Sequence, residues 1–281
     1  MIELAQIQTD YHIHSTFSPD GNDAPEVLCQ RALDLGLEAI AITEHAEWHP
    51  GYETEGFPRV DAYFEAMERC RAKFEPRGLA VLTGVELGNP HHYVAEATEL
   101  VASYPFDVVH AALHWLDGHN IHLEPCFAGR TADEVYAAYF LEMERMAANF
   151  EFDFVAHFDR IIWRGVQLGL SLNPHRLEPV IRNTLASLVR YDHGLELNTR
   201  FLNRQPNWNE AIVTILRWFR LEGGRRVFVN SDAHQAHFIG RNREIAARLL
   251  AEAGFEGAAR LLPAPLDNEI ELQNHWLRIV D

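Results

Sequence analysis

The 281-residue chain is 47% hydrophobic and 11% aromatic, enough apolar material for a large core, which excludes intrinsic disorder as its main state. Its 24 Lys and Arg stand against 41 Asp and Glu, a formal charge of −17 that repels polyanions and argues against a nucleic-acid partner bound through its phosphates. No apolar run approaches the roughly 18 residues of a membrane span. Met1-Ile2-Glu3-Leu4 lacks a basic leader pattern, and Cys29, Cys70 and Cys126 are odd in number and far apart. The expectation is a cytoplasmic protein with no membrane partner and no disulfide framework.

Strand-length apolar runs alternate with segments of helical periodicity. A strand over 9–13 leads to a helix over 25–35, with Pro25 just inside its start and Gly36 just past its end. Strands over 39–43, 80–85, 106–113, 152–156, 195–198 and 226–230 follow, interleaved with helices over 60–74, 92–103, 132–149, 175–191, 208–221 and 239–252. This alternation predicts an α/β fold with parallel strands, and the number of units favours a barrel over an open sheet. No long linker, low-complexity tract or internal repeat interrupts the chain, so one domain over 1–281 is expected. The segment from Leu261, with Pro263 and Pro265, reads as a tail packed on the barrel.

Two residue counts are unusual: 16 His, and a single Lys, Lys73. The lone Lys lies in a helical run, where it offers neither a P-loop nor a Schiff-base amine, nor a metal-bridging carbamate. The histidines gain meaning from position. The C-terminal ends of the predicted strands carry His12 and His14, His45, Glu86, His114, His157, Asn198, and Asp232 with His234. In an α/β barrel these ends converge on the face that carries the active site. His12-Ile13-His14 places two imidazoles on one side of a strand, and Asp232-Ala233-His234 has the same spacing. Each element alone also fits an ordinary role, as an exposed strand histidine, a loop glutamate or a capping aspartate. Metal-type donors on six of seven strand ends favour one metal cluster. His110 fits the core or a supporting place, and His49, His91, His92, His119, His122 and His237 could rim the pocket. His175, His193 and His275 read as surface residues, and none of these is taken as a ligand.

These residues resemble the PHP family, named for polymerase and histidinol phosphatase, in its histidinol-phosphatase branch. The likeness runs through Asp10-Tyr11-His12-Ile13-His14-Ser15, Ser18-Pro19-Asp20-Gly21, Thr43-Glu44-His45, Gly84-Val85-Glu86, Ala112-Leu113-His114-Trp115-Leu116-Asp117-Gly118, Ala156-His157-Phe158-Asp159 and Asn230-Ser231-Asp232-Ala233-His234. The resemblance implies a distorted (β/α)7 barrel with two or three divalent ions (Zn, Mn or Fe) at the C-terminal face. The ligands it implies are His12, His14, Asp20, His45, Glu86, His114, His157, Asp232 and His234, with Glu86 as the bridge. Asp20 comes from the resemblance alone, since Ser18-Pro19-Asp20-Gly21 otherwise reads as a turn. The implied reaction is phosphate-monoester hydrolysis, with metal-activated hydroxide attacking phosphorus and no protein nucleophile. The implied substrate is small and phosphorylated, L-histidinol phosphate of histidine biosynthesis. Arg160 and Arg200, where the family pattern has other residues, are candidates to clamp the phosphate.

Other readings stay open at this level. A phosphoesterase on another small ester shares every motif. A metal-dependent amidohydrolase also uses a first-strand HxH but commonly needs a bridging carbamylated Lys. An exonuclease needs a basic track that this chain lacks. A metal-stabilised scaffold predicts a coordinatively closed site.

Overall fold

The structure, a computed structural model, describes residues 7–202 and 208–261. In chain order its strands are β1 (Thr9–Ile13), β2 (Ala39–Ala46), β3 (Ala80–Gly88), β4 (Val108–Ala112), β5 (Trp115–Leu116), β6 (His119–Asn120), β7 (Phe154–Val155), β8 (Gly194–Asn198) and β9 (Val227–Asn230). The helices are α1 (Pro25–Asp34), α2 (Val60–Phe74), α3 (Val94–Ser103), α4 (Ala132–Asn149), α5 (Arg160–Gln167), α6 (Glu178–Arg190), α7 (Trp208–Leu221) and α8 (Arg243–Ala253). Seven strands pair in parallel in the order β1-β2-β3-β4-β7-β8-β9, while β5 and β6 form a separate antiparallel hairpin. The sheet curls until β1 meets β9, where a parallel bridge joins Ile13 and Ala233. Side chains complete that seam: Asn230 Oδ1 accepts from the Tyr11 main chain at 2.8 Å, and Asp10 Oδ1 accepts from Ser231 N at 2.9 Å. The result is the expected distorted (β/α)7 barrel.

Strand alternation sets what faces the barrel axis. At its N-terminal end Tyr11, Ala39, Ala41, Leu82, Val108, Phe154 and Phe228 form an apolar plug, with Leu261, the last described residue, packed against it. The β1–β2 register slips between Asp10 and Ile13. Tyr11 therefore joins the plug, while His12 and His14, out of phase with it, gather at the other end. Two residues on from Leu82 along β3 is Gly84, where a Cβ would strike Thr43, and two further is Glu86. The larger apolar core fills the space between barrel and helices.

The structure departs from the sequence expectations at edges and short pieces. β2 and β3 run on to Ala46 and Gly88, so His45 and Glu86 lie within strands. The helix expected over 175–191 divides into a 3₁₀ turn (Pro174–Leu177) and α6, with Pro179 in the first turn, where its missing N–H costs nothing. The helix expected over 239–252 begins at Arg243, after a 3₁₀ turn at Ala236–Phe238. α5 and the β5–β6 hairpin are additions. The tail expected beyond Leu261, with His275, lies outside the described residues.

Candidate metal centre

The structure brings the nine expected ligand residues to one place, and Glu86 stands in the middle of them. Its Oε1 lies 2.7 Å from His157 Nε2 and 3.4 Å from His114 Nε2. Its Oε2 lies 3.3 Å from both His12 Nε2 and His14 Nε2 and 3.0 Å from His45 Nδ1. Asp232 Oδ1 lies 3.6 Å from His14 Nε2, 3.9 Å from His12 Nε2 and 3.4 Å from His234 Nδ1. Half-exposed Asp20 completes the outer side, with Oδ2 at 2.8 Å from His234 Nε2 and Oδ1 at 3.5 Å from His45 Nε2.

The chemistry of this donor set fits divalent cations. His12 Nε2 and His14 Nε2 face each other at 3.0 Å. Buried Glu86 Oε2, His45 Nδ1 and Asp232 Oδ1 have no hydrogen-bond partner, although other site atoms stand close by. Lone pairs so crowded and unsatisfied call for a positive charge between them. Triads of donor atoms within reach of one ion recur across the cluster: His12, His14 and Asp232; His12, Glu86 and His157; and His14, His45 and His234. Two of these residues, His157 (φ 28) and Asp232 (φ 49), also hold left-handed backbone, uncommon for residues other than glycine.

Carboxylates not expected from the sequence orient the imidazoles. Glu196, inside β8, accepts from His12 Nδ1 at 2.8 Å, Asn230 Nδ2 at 2.9 Å, His157 N at 2.5 Å and Asn198 Nδ2 at 3.1 Å. His12 is thereby fixed with Nε2 toward the centre. Glu47 does the same for His114 through Nδ1. A Cβ at Gly88 would overlap the Glu47 carboxylate, so the glycine is required for that approach. Glu44 is tied to Ser15 and Ser18. One sequence signal could have marked Glu196: an acid between leucines in a strand that is otherwise apolar.

Electrostatics hold His14 and the central carboxylates in ligand form. His12, His45 and His114 are raised, because neighbouring carboxylates outweigh burial, so a bound cation would displace their protons. Burial and the charges of His45 and His234 hold His14 well below the usual histidine range, hence neutral. Burial would raise Glu86, but His12, His45 and His114 outweigh it and keep the carboxyl well below its ordinary value. Asp232 behaves likewise: burial opposes ionisation, and Arg200 and Arg160 overcome it.

Those two arginines stand at the Asp232 edge. Arg160 Nη1 and Arg200 Nη1 meet the same oxygen, Asp232 Oδ2, at 2.9 and 3.2 Å. Arg160 Nε also donates to His122 Nε2 at 2.6 Å, and His122 is driven down to about 2 by burial and by Arg160 itself, so it accepts as a neutral ring. His110 lies in the barrel beneath His12, with ring centres 4.3 Å apart. Among the rim candidates, His49 stacks on Trp115 at 3.6 Å, and His91 and His92 turn instead toward Glu142. The surface reading of His193 is corrected: it is buried, with Nδ1 and Nε2 against the carbonyls of Phe152 and Ala147, because the turn after α6 folds it under α4.

A parallel barrel holding a buried histidine-carboxylate cluster at its strand ends defines a metal-dependent hydrolase. A family model, the PHP domain, matches residues 10–200, and the chain belongs to the PHP family, in its histidinol-phosphatase branch. A histidinol-phosphatase from Lactococcus lactis is 26% identical over 266 residues, 92% of this chain and 96% of the relative. A protein of Thermotoga maritima, described as a "probable histidinol-phosphatase", is 30% identical over 249 residues, 88% of this chain and 93% of its own. The crystal structure of histidinol phosphate phosphatase from Lactococcus lactis, complexed with zinc, L-histidinol and phosphate, superposes with a TM-score of 0.81 at 25% identity, covering 91% of this chain and 97% of that one.

Proposed function

We propose that the chain hydrolyses L-histidinol phosphate to L-histidinol and phosphate, using two or three divalent ions (Zn, Mn or Fe) held by the nine residues around Glu86. One observation carries the reading: a central carboxylate faced by five imidazoles, with two guanidiniums meeting on Asp232 at its edge. Glu86 presents each oxygen to a different group of histidines, which suits a carboxylate shared between cations. Cations held there activate water as a nucleophile and neutralise the charge of a phosphoryl group.

The chain's own groups supply the rest. Glu196 and Glu47 fix the His12 and His114 tautomers so that both Nε2 atoms face inward. Arg160, anchored through Nε on His122, and Arg200 bring two planar forks to the place where phosphate oxygens would sit. Tyr52 packs against His45, with ring centres 5.9 Å apart, and sets an aromatic ring beside that ligand. The net charge of −17 favours a small amine-bearing ester over a polyanionic strand. Three buried, unpaired cysteines support a cytoplasmic setting. The amidohydrolase alternative loses ground because Lys73 lies exposed on α2 and the bridging place holds Glu86.

The test separates metal from phosphate. His14→Ala and Asp232→Ala should abolish turnover and lower the metal content. Arg160→Ala and Arg200→Ala should keep the metal and lower kcat/KM about 10–100-fold, the loss of one charge-assisted contact of roughly 1.5–3 kcal/mol. Full activity in the first pair would remove the ligand assignment, and unchanged kinetics in the second would remove the clamp.

A further inference from the structure

A second histidine-carboxylate cluster stands outside the centre. The 3₁₀ turn Pro90–His92, just after β3, faces Glu142 of α4. His91 Nε2 and His92 Nε2 each lie 2.7 Å from the same oxygen, Glu142 Oε1. The His91 contact has hydrogen-bond alignment; the His92 contact is as short without it. The centre shows the same signature, where His45 Nδ1 and Glu86 Oε2 are 3.0 Å apart and both lack a hydrogen-bond partner. Arg145 Nη1 holds the other oxygen, Glu142 Oε2, at 2.5 Å and leaves Oε1 as a single-oxygen donor. The side chains of His91 and Glu142 are 4% and 8% exposed and that of His92 is 51%, so the three donor atoms form a shallow site with one side open to water.

We propose that His91, His92 and Glu142 form a further divalent-metal site, separate from the Glu86 cluster and selective for a zinc-class ion. Two imidazoles and one carboxylate oxygen favour borderline transition metals over magnesium or calcium, which prefer all-oxygen shells. Three protein ligands with an open fourth position make an exchangeable site, weaker than a closed four-ligand one. An ion there ties the turn after β3 to α4. Asn89 (φ 46) precedes that turn, and its Oδ1 accepts from His114 N at 2.9 Å and Trp115 N at 3.0 Å, so the site braces the segment that carries His114. The inference stands apart from the choice of substrate.

The test is zinc binding by the full chain. Wild type, H92A and E142Q, each with the Glu86 cluster loaded, are dialysed against a series of free zinc concentrations, and bound zinc per chain is measured. His92 is half exposed, so H92A leaves the fold intact. Wild type should bind one equivalent more than either variant, filled last as free zinc rises, and its filling should raise the melting temperature of wild type alone. Identical isotherms for all three chains would overturn the site and leave a hydrogen-bonded cluster only. Loss of the extra equivalent in E142Q but not in H92A would overturn it as drawn.

Discussion

Asp159 shows how much a single buried residue reveals that its neighbours in sequence do not. Both of its carboxylate oxygens are buried without a hydrogen-bond partner, and burial pushes its carboxyl up to about 7. Its ordinary value is 3.8, so between the two values the folded chain holds a proton that the unfolded chain has released. The stability from this site is complete below the lower value and is lost as pH rises through the upper one. Asp159→Asn should therefore stabilise chelator-treated protein more at pH 8 than at pH 5, by about 2–3 kcal/mol. Melting curves at the two values check this, and equal shifts would contradict it. The metal-type residues were legible because they recur at strand ends, where a barrel must bring them together. Glu47 and Asp159 were not, and Glu196 was marked only by its place between Leu195 and Leu197, since an acid becomes informative chiefly when burial shows that water cannot solvate it. Asp20 was legible only through resemblance, because a turn aspartate looks the same with or without a metal.

Among the elements, the joint between β1 and β9 decides whether His12 and His14 meet Asp232. Side chains make much of that joint, and Asn230 serves it twice, accepting from Tyr11 N and donating to Glu196. Asn230→Ala should cost about 2–4 kcal/mol, since it orphans a buried N–H and removes a donor to a buried carboxylate. Denaturant unfolding measures the cost, and a loss under about 0.5 kcal/mol would show that the seam holds without it. The long helices α2, α4 and α7 match their sequence periodicity to the residue; α4 carries a capping box at Thr131 and Glu134. α5 has eight residues, and the β5–β6 hairpin has strands of two, both too short to establish a period. The slip in β1 was equally hidden, because register is a property of the pair of strands.

For the whole molecule, the metals and the fold depend on each other. Burying so many imidazoles and carboxylates without cations leaves lone pairs unpaired, so ions that bind the folded chain must stabilise it. Chelation should lower the melting temperature by about 5–10 °C, taking roughly 2–3 kcal/mol of binding and a few degrees per kcal/mol for a chain of this size. An unchanged melting temperature in protein verified as metal-free would show that the cluster folds without them. Among the described residues no helix is long and apolar enough to cross a membrane, and the barrel opens its donor-rich face to solvent at half-exposed Asp20.

The central claim is the reaction, and phosphate release tests it most directly. Protein of measured metal content is given L-histidinol phosphate beside sugar, nucleotide and amino-alcohol phosphates. The proposed substrate predicts a preference for histidinol phosphate of several hundredfold in kcat/KM, about 3–4 kcal/mol of transition-state discrimination. Uniformly slow release across the panel would contradict the substrate, and no release from fully loaded protein would contradict the phosphatase itself.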